Sequence, residues 1–134
     1  MGNSWKQVIT ALVCVLGTML ISCGGGGSAG ETLPAKILNW DPPTTYIDGS
    51  ALNTSVDLES FEIFLREDDN FSQSDQPEAA VAASNPQNGQ ITTSFNLANL
   101  SYFIKKGVVY HVSIRTVAKN GMKSNFSPSA TFSY

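Results

Sequence analysis

Tyr110-His111-Val112-Ser113-Ile114-Arg115 decides the fold. Apolar and polar side chains alternate along it, so Tyr110, Val112 and Ile114 fall on one face of an extended strand and His111, Ser113 and Arg115 on the other. A helix would need its apolar residues three and four apart. The same period of two recurs upstream in Phe61-Glu62-Ile63-Phe64-Leu65-Arg66. There Phe61, Ile63 and Leu65 share a face, and the other face, Glu62 and Arg66 beside Phe64, is expected to be mostly wet. Downstream, Asn120-Gly121 turns the chain back, through Ser124 and Ser127-Pro128, into a last strand with Ala130, Phe132 and Tyr134 on one face.

Working outward, Lys36-Ile37-Leu38-Asn39-Trp40 puts Leu38 and Trp40 on one face, and Asp41-Pro42-Pro43 stops that strand because proline supplies no ladder donor. A long loop with Asp48-Gly49 as its turn follows. Glu67 to Asn70 is a polar turn, Ala79 to Ala83 a weak edge strand, Asn85 to Gly89 another turn, and Gln90 to Leu97 a further strand. After Cys23 apolar residues recur at spacing two more often than at three or four, so helix is only weakly signalled anywhere in the domain. From Glu31 to the last residue, about a hundred residues leave room for one core. The expectation is an all-β domain of roughly seven strands or fewer, in two sheets around one aromatic core. Its core residues are Leu38, Trp40, Phe61, Ile63, Tyr110, Val112 and Ile114.

These residues resemble the fibronectin type III family, which implies an immunoglobulin-like, fibronectin type III-like sandwich over residues 34–134. The opening Leu-x-Trp-x-Pro-Pro with a later Asp-Gly is matched by Leu38, Trp40, Pro42, Pro43, Asp48 and Gly49. The family's third strand is matched by Phe61 and Ile63, and its corner by Ile104 to Tyr110, with Tyr110 as the implied tyrosine-corner residue. The Tyr-x-Val-x-Val pattern, a Gly and two serines at spacing three are met by Tyr110, Val112, Ile114, Gly121, Ser124 and Ser127. Lys106 replaces the usual corner proline, and Thr116 stands where the family normally has Ala. Glu31 to Ala35 offer little length for a first strand, which would leave a sheet edge exposed.

The N-terminal part reads differently. Lys6 precedes the apolar run Val8 to Ile21, which has the charged start and short middle of a secretory signal and is too short to span a bilayer. Leu20-Ile21-Ser22-Cys23 resembles the lipobox of bacterial lipoproteins. The resemblance implies a cleaved signal peptide at residues 1–22 and a diacylated Cys23 as the mature N-terminus. The other cysteine, Cys14, lies inside the leader, so the domain would hold no disulfide. Gly24 to Gly30 is all Gly, Ser and Ala and behaves as a flexible leash, so residues 23–33 form the lipidated cysteine and its tether. Gly24 in place of the aspartate that commonly retains such proteins at the inner membrane implies a lipid-anchored place in the bacterial cell envelope, at the outer membrane in a Gram-negative cell.

The chemical inventory is poor. One histidine, His111, and no cysteine beyond Cys23 cannot assemble a zinc site, and alternation places His111 on the surface. No serine of the domain after the Gly/Ser tether sits in a Gly-x-Ser-x-Gly elbow. Glu67, Asp68, Asp69, Asn70 and Asp75 do not follow the order of a calcium loop. No enzyme, metal or cofactor is expected. Net charge is −3, with every acid between Glu31 and Glu78 and Lys105, Lys106, Arg115, Lys119 and Lys123 after them. That split either supplies cross-strand pairs or leaves a basic patch near Lys105-Lys106; without base-stacking aromatics in a basic run it gives no case for nucleic acid. The expected function is a non-catalytic, lipid-anchored envelope module that binds or spaces protein partners. The alternative is a carbohydrate-binding accessory module using Tyr46, Phe64, Phe71 and Phe126 as exposed aromatics.

Overall fold

The structure, a computed structural model, describes residues 32–134. The leader, Cys23 and the Gly/Ser tether lie outside the described residues. Among the described residues, six strands form two antiparallel sheets: β1 (Ile37–Asn39), β2 (Leu58–Arg66), β3 (Ala79–Ala82), β4 (Ser94–Asn96), β5 (Val109–Ala118) and β6 (Ala130–Ser133). One sheet is β1-β4; the other runs β3-β2-β5-β6. The domain is an all-β, two-sheet sandwich.

The pairing of β2 with β5 carries the architecture. Ile63 stands opposite Ile114 and Leu65 opposite Val112, so the two alternating stretches present their apolar sets to the same side. Ile63, Leu65, Tyr110 and Val112 pack with Leu97 and Leu100 in one buried cluster, and Leu58, Phe61, Ala83 and Ile114 form a second. Leu38 and Val81 touch both clusters. Leu38 itself is only half-buried, as is Trp40, whose ring meets Phe61 edge-on at 5.1 Å. The reason is the small sheet: two short strands cover less of the core than the four facing them.

Three sequence expectations need correction. The strand expected over Gln90 to Leu97 shrinks to β4 plus an isolated bridge between Ser84 and Ile91. Leu97–Leu100 forms a 3₁₀ helix capped by Asn96, which accepts from Ala98 N; this turn tucks both leucines into the core. A single α-helical turn, α1 (Thr54–Asp57), precedes β2. The third correction is the outer face of β2 and β5, which is not wet. Phe64, Ser113 and Arg115 are buried there because the β2–β3 and β5–β6 loops fold back over the sheet.

The Tyr110 hydroxyl accepts from Lys105 N at 3.0 Å and donates to Phe103 O at 3.4 Å, closing the loop before β5. Tyr110→Phe keeps the ring and removes this tie. Urea unfolding should show a loss of about 1 kcal/mol, and no change at all would mean that water replaces the bond without cost.

Ser124 and Ser127 extend the β5–β6 ladder with side chains. Thr116 N donates to Ser124 Oγ at 2.9 Å and Ile114 N to Ser127 Oγ at 3.0 Å, while the backbones of the same serines donate to Thr116 O and Ile114 O. A spacing of three thus supplies donors and acceptors where β6 has not yet begun.

Candidate functional site

Strand direction sorts the loops into two poles. Leu58, at the start of β2, lies beside Ala118, at the end of β5, so the β1–β2 and β5–β6 loops meet at one end of the sandwich. Arg66 pairs with His111 at the other end, which also holds the loop leading into β5. We refer to the first as the far pole and to the second, where Lys36 is bonded to Leu97, as the N-terminal pole.

The far pole holds an open cavity of about 590 Å³. One wall comes from the β1–β2 loop, where Thr45 bridges Ala51 and Gly49, at φ 83°, makes the hairpin turn expected at Asp48-Gly49. A side chain at that φ would strain the backbone. Tyr46 and Ile47 sit on the hairpin, and Leu52 returns from it to bond Thr44 O. The other wall comes from Asn120-Gly121, where Gly121 N bonds Ala118 O and Met122 O accepts from Ala118 N. Leu58 forms the floor. Lys119 N donates to Asp57 O at 2.9 Å, tying the two walls together.

Apolar surface dominates the lining, with Pro43, Tyr46, Ile47, Leu52, Leu58 and Met122 as its main contributors. Ile47 is 84% exposed and Met122 54%, so apolar side chains stand at the rim as well. The two charged lining residues already have partners. Asp48 accepts from the Ser50 hydroxyl at 2.6 Å and from Ser50 N at 2.9 Å, bonds that hold its carboxyl below the usual range. Lys123 Nζ lies 2.8 Å from Glu62 Oε1. Partial burial, together with the Asp57 carboxylate, pushes the Tyr46 phenol up, keeping it neutral. Such a groove suits an apolar group rather than an ion.

On the outer face of the larger sheet, Arg115 is 3% exposed and fully engaged. Its guanidinium meets Glu62 Oε2 through Nε at 2.9 Å and Nη2 at 2.7 Å, and donates through Nη1 to Gln73 Oε1 at 2.8 Å. It also lies over the rings of Phe64 at 4.9 Å and Phe126 at 5.2 Å. Burial alone would raise the Glu62 carboxyl, but hydrogen bonds from Lys123 and Arg115 overcome that and hold it low. The acidic and basic halves of the chain therefore meet in cross-strand pairs at Glu62, Arg115 and Lys123. Lys105 and Lys106 are exposed at the N-terminal pole.

The sequence-predicted residues are placed as follows. Phe61, Ile63, Tyr110, Val112 and Ile114 are buried, Leu38 and Trp40 half-buried, and Cys23 lies outside the described residues. His111 is half-buried rather than on the open surface, its Nδ1 3.6 Å from Asp69 Oδ1. The four aromatics proposed for a sugar platform do not form one. Phe64 is buried, Phe71 and Phe126 are half-buried and meet at a tilt with ring centres 5.6 Å apart, and Tyr46 sits at the opposite pole from Phe71's loop. Ile47, Leu52 and Met122 are the site residues that sequence reasoning missed. Large apolar side chains beside Asp48-Gly49 and Asn120-Gly121 were the available signal, since turn tips are ordinarily polar. No protein-family model, curated protein or solved structure matches this chain.

Proposed function

We propose that this chain is a non-catalytic, lipid-anchored module of the bacterial cell envelope that holds a protein partner through the groove at its far pole. The observation that carries the reading is the groove itself, apolar at floor and rim, with its two charged residues already paired. An apolar side chain on a partner's loop or extended segment fits that chemistry, and desolvating it against Tyr46, Leu52 and Met122 supplies the attraction. A fibronectin type III-like kinship is supported by the pairing of β1 with β4, the order β3-β2-β5-β6, the Tyr110 corner and the Ser124 and Ser127 bonds. The lipid anchor rests on Leu20 to Cys23 and the tether behind them.

Two measurements on the full chain in its native host test this. A photo-crosslinking residue at Ile47 should trap a discrete protein adduct, which Met122→Glu should abolish by placing a charge on the groove. Intact mass should give a chain that begins at an acylated Cys23, and Cys23→Ser should abolish that acylation. No adduct at Ile47 would sink the partner reading; an unmodified Cys23 would sink the anchor.

A further inference from the structure

Among the described residues, the outer edge of β3 is the strand edge with the least protection. On β2, Glu59 O and Ile63 O accept from Ala83 N and Glu78 N, and Leu65 N donates to Glu78 Oε2 at 2.7 Å, so the odd-numbered residues of β2 turn their backbones toward β3. Phe61 stands opposite Val81 and Ile63 opposite Ala79. By the antiparallel pattern, the backbones of Ala79 and Val81 therefore turn to β2 and those of Ala80 and Ala82 turn outward. β3 ends the order β3-β2-β5-β6, and the outward groups carry no further bond among the described residues. The side chains of Ala80 and Ala82 are exposed as well.

Sheet edges are ordinarily blocked by charge, proline or a covering segment. No charged residue occurs from Ala79 to Gln90. Pro77 and Glu78 precede the strand, and the Glu78 carboxylate is folded back onto Leu65 N. The opposite edge, β6, ends at Tyr134 with the Lys36 ammonium 5.3 Å from the centre of its ring. In the small sheet, β1 lies between Lys36 and Asp41-Pro42-Pro43, and β4 runs directly into the 3₁₀ helix.

The register of β3 suits a second copy of itself. A twofold axis through Val81 sets Ala80 opposite Ala82 of the second copy, and Ala82 opposite its Ala80. These are the outward-turned residues, so each pair exchanges both of its backbone bonds. The two Val81 side chains meet at the axis as a narrow pair, with about 4.5 Å between Cα atoms, and cover the surface that the half-buried valine leaves open. Methyl side chains allow the approach, and an uncharged ladder meets no repulsion. Beyond Ala83 the edge is closed, because Thr92 N bonds Ala83 O and Ser84 bridges Ile91, so the contact spans Ala80 to Ala82 alone. An interface that short buries less than the roughly 1,200 Å² of stable complexes, and it forms by mass action.

We propose that two copies of this chain join edge to edge through β3, about a twofold axis at Val81, into one continuous sheet. The interface is separate from the groove. Ala82 stands beside Ser60, at the end of β3 nearer the far pole, so the two grooves lie at opposite ends of the joined sheet.

The full chain, in the detergent that extracts it, is followed by sedimentation velocity over a concentration series. The parent should pass reversibly from monomer to dimer. Ala80→Lys with Ala82→Lys sets like charges opposite each other across the axis and should raise the dissociation constant several-fold. Ala80→Lys with Ala82→Glu sets opposite charges in the same places and should bring the dimer back. Both variants share the change beside Glu62 and differ only at 82. A parent that stays monomeric overturns the proposal, as does a dimer that the first variant leaves intact or the second fails to restore. Hydrogen exchange on the parent needs no variant: the Ala80 and Ala82 amides should slow as concentration rises, and unchanged rates overturn the pairing even if a variant fails to fold.

Discussion

Truncating Phe61 to alanine is expected to remove about 3–5 kcal/mol, the range for deleting a buried aromatic ring. Domains of this size hold only about 5–15 kcal/mol in total, so the variant should be largely or wholly unfolded at physiological temperature. Phe61 has no exposed surface and packs with Leu58, Ala83 and Ile114, with the edge of Trp40 closing one side. Its backbone is paired on both flanks, to Val81 and to Thr116, so the surrounding strands cannot collapse into the space. Urea or thermal unfolding checks it. Trp40→Ala should cost less, since Trp40 is half-buried and its indole Nε1 is enclosed without a hydrogen-bond partner. A Phe61→Ala variant that melts near the parent, or a Trp40→Ala variant that costs more, would reverse this order of importance.

The second large effect is at Arg115. Arg115→Leu removes both bonds to Glu62, the bond to Gln73 and the ring contacts, and leaves an enclosed carboxylate with Lys123 alone. A loss of about 3 kcal/mol near neutral pH is expected, because the penalty comes from the charge left behind. Replacing Glu62 and Arg115 together by leucine should recover most of it. The pH dependence has a definite sign. An acid whose folded pKa is lowered contributes its stability in full above the unfolded value, and loses it as pH falls through the folded one. Glu62 is such an acid, so the parent should weaken as pH drops below about 4. Asp68, held at about 2 by Arg66, acts in the same direction. Glu78 acts oppositely, since burial raises it and its ionisation costs stability as pH rises through the carboxyl range. In Glu62→Gln the acid-side loss should be shallower; an unchanged profile would mean that Glu62 is not among the groups that set it.

What was legible in the sequence was the inner side of the sandwich. Alternation in Phe61 to Leu65 and in Tyr110 to Ile114 states which side chains face inward, because the pleat allows no other assignment. Alternation is silent about what lies on the opposite face. Ser113 and Arg115 look like surface residues, and only the return of Gln73 and Phe126 over the sheet buries them. The 3₁₀ helix was visible as Leu97 and Leu100 at spacing three, but the strand pattern of Phe95 ran into it. The groove was not legible as a site, since it exists only where two loops some seventy residues apart come together. Its separate residues were on view as apolar side chains beside turn glycines.

The central pairing of β2 with β5 also governs how the domain comes into being. Glu62 and Arg115 meet across a separation of 53 residues, and every rung of that ladder requires the intervening chain to be closed into a loop first. Non-local topologies of this kind fold in milliseconds to seconds rather than microseconds. During synthesis, β2 gains its principal neighbour only once β5 has emerged, by which time most of the domain has been made. An N-terminal fragment that ends before Val109 lacks the β5 partners of Phe61 and Ile63, Ile114 and Val112 among them, so the core closes late.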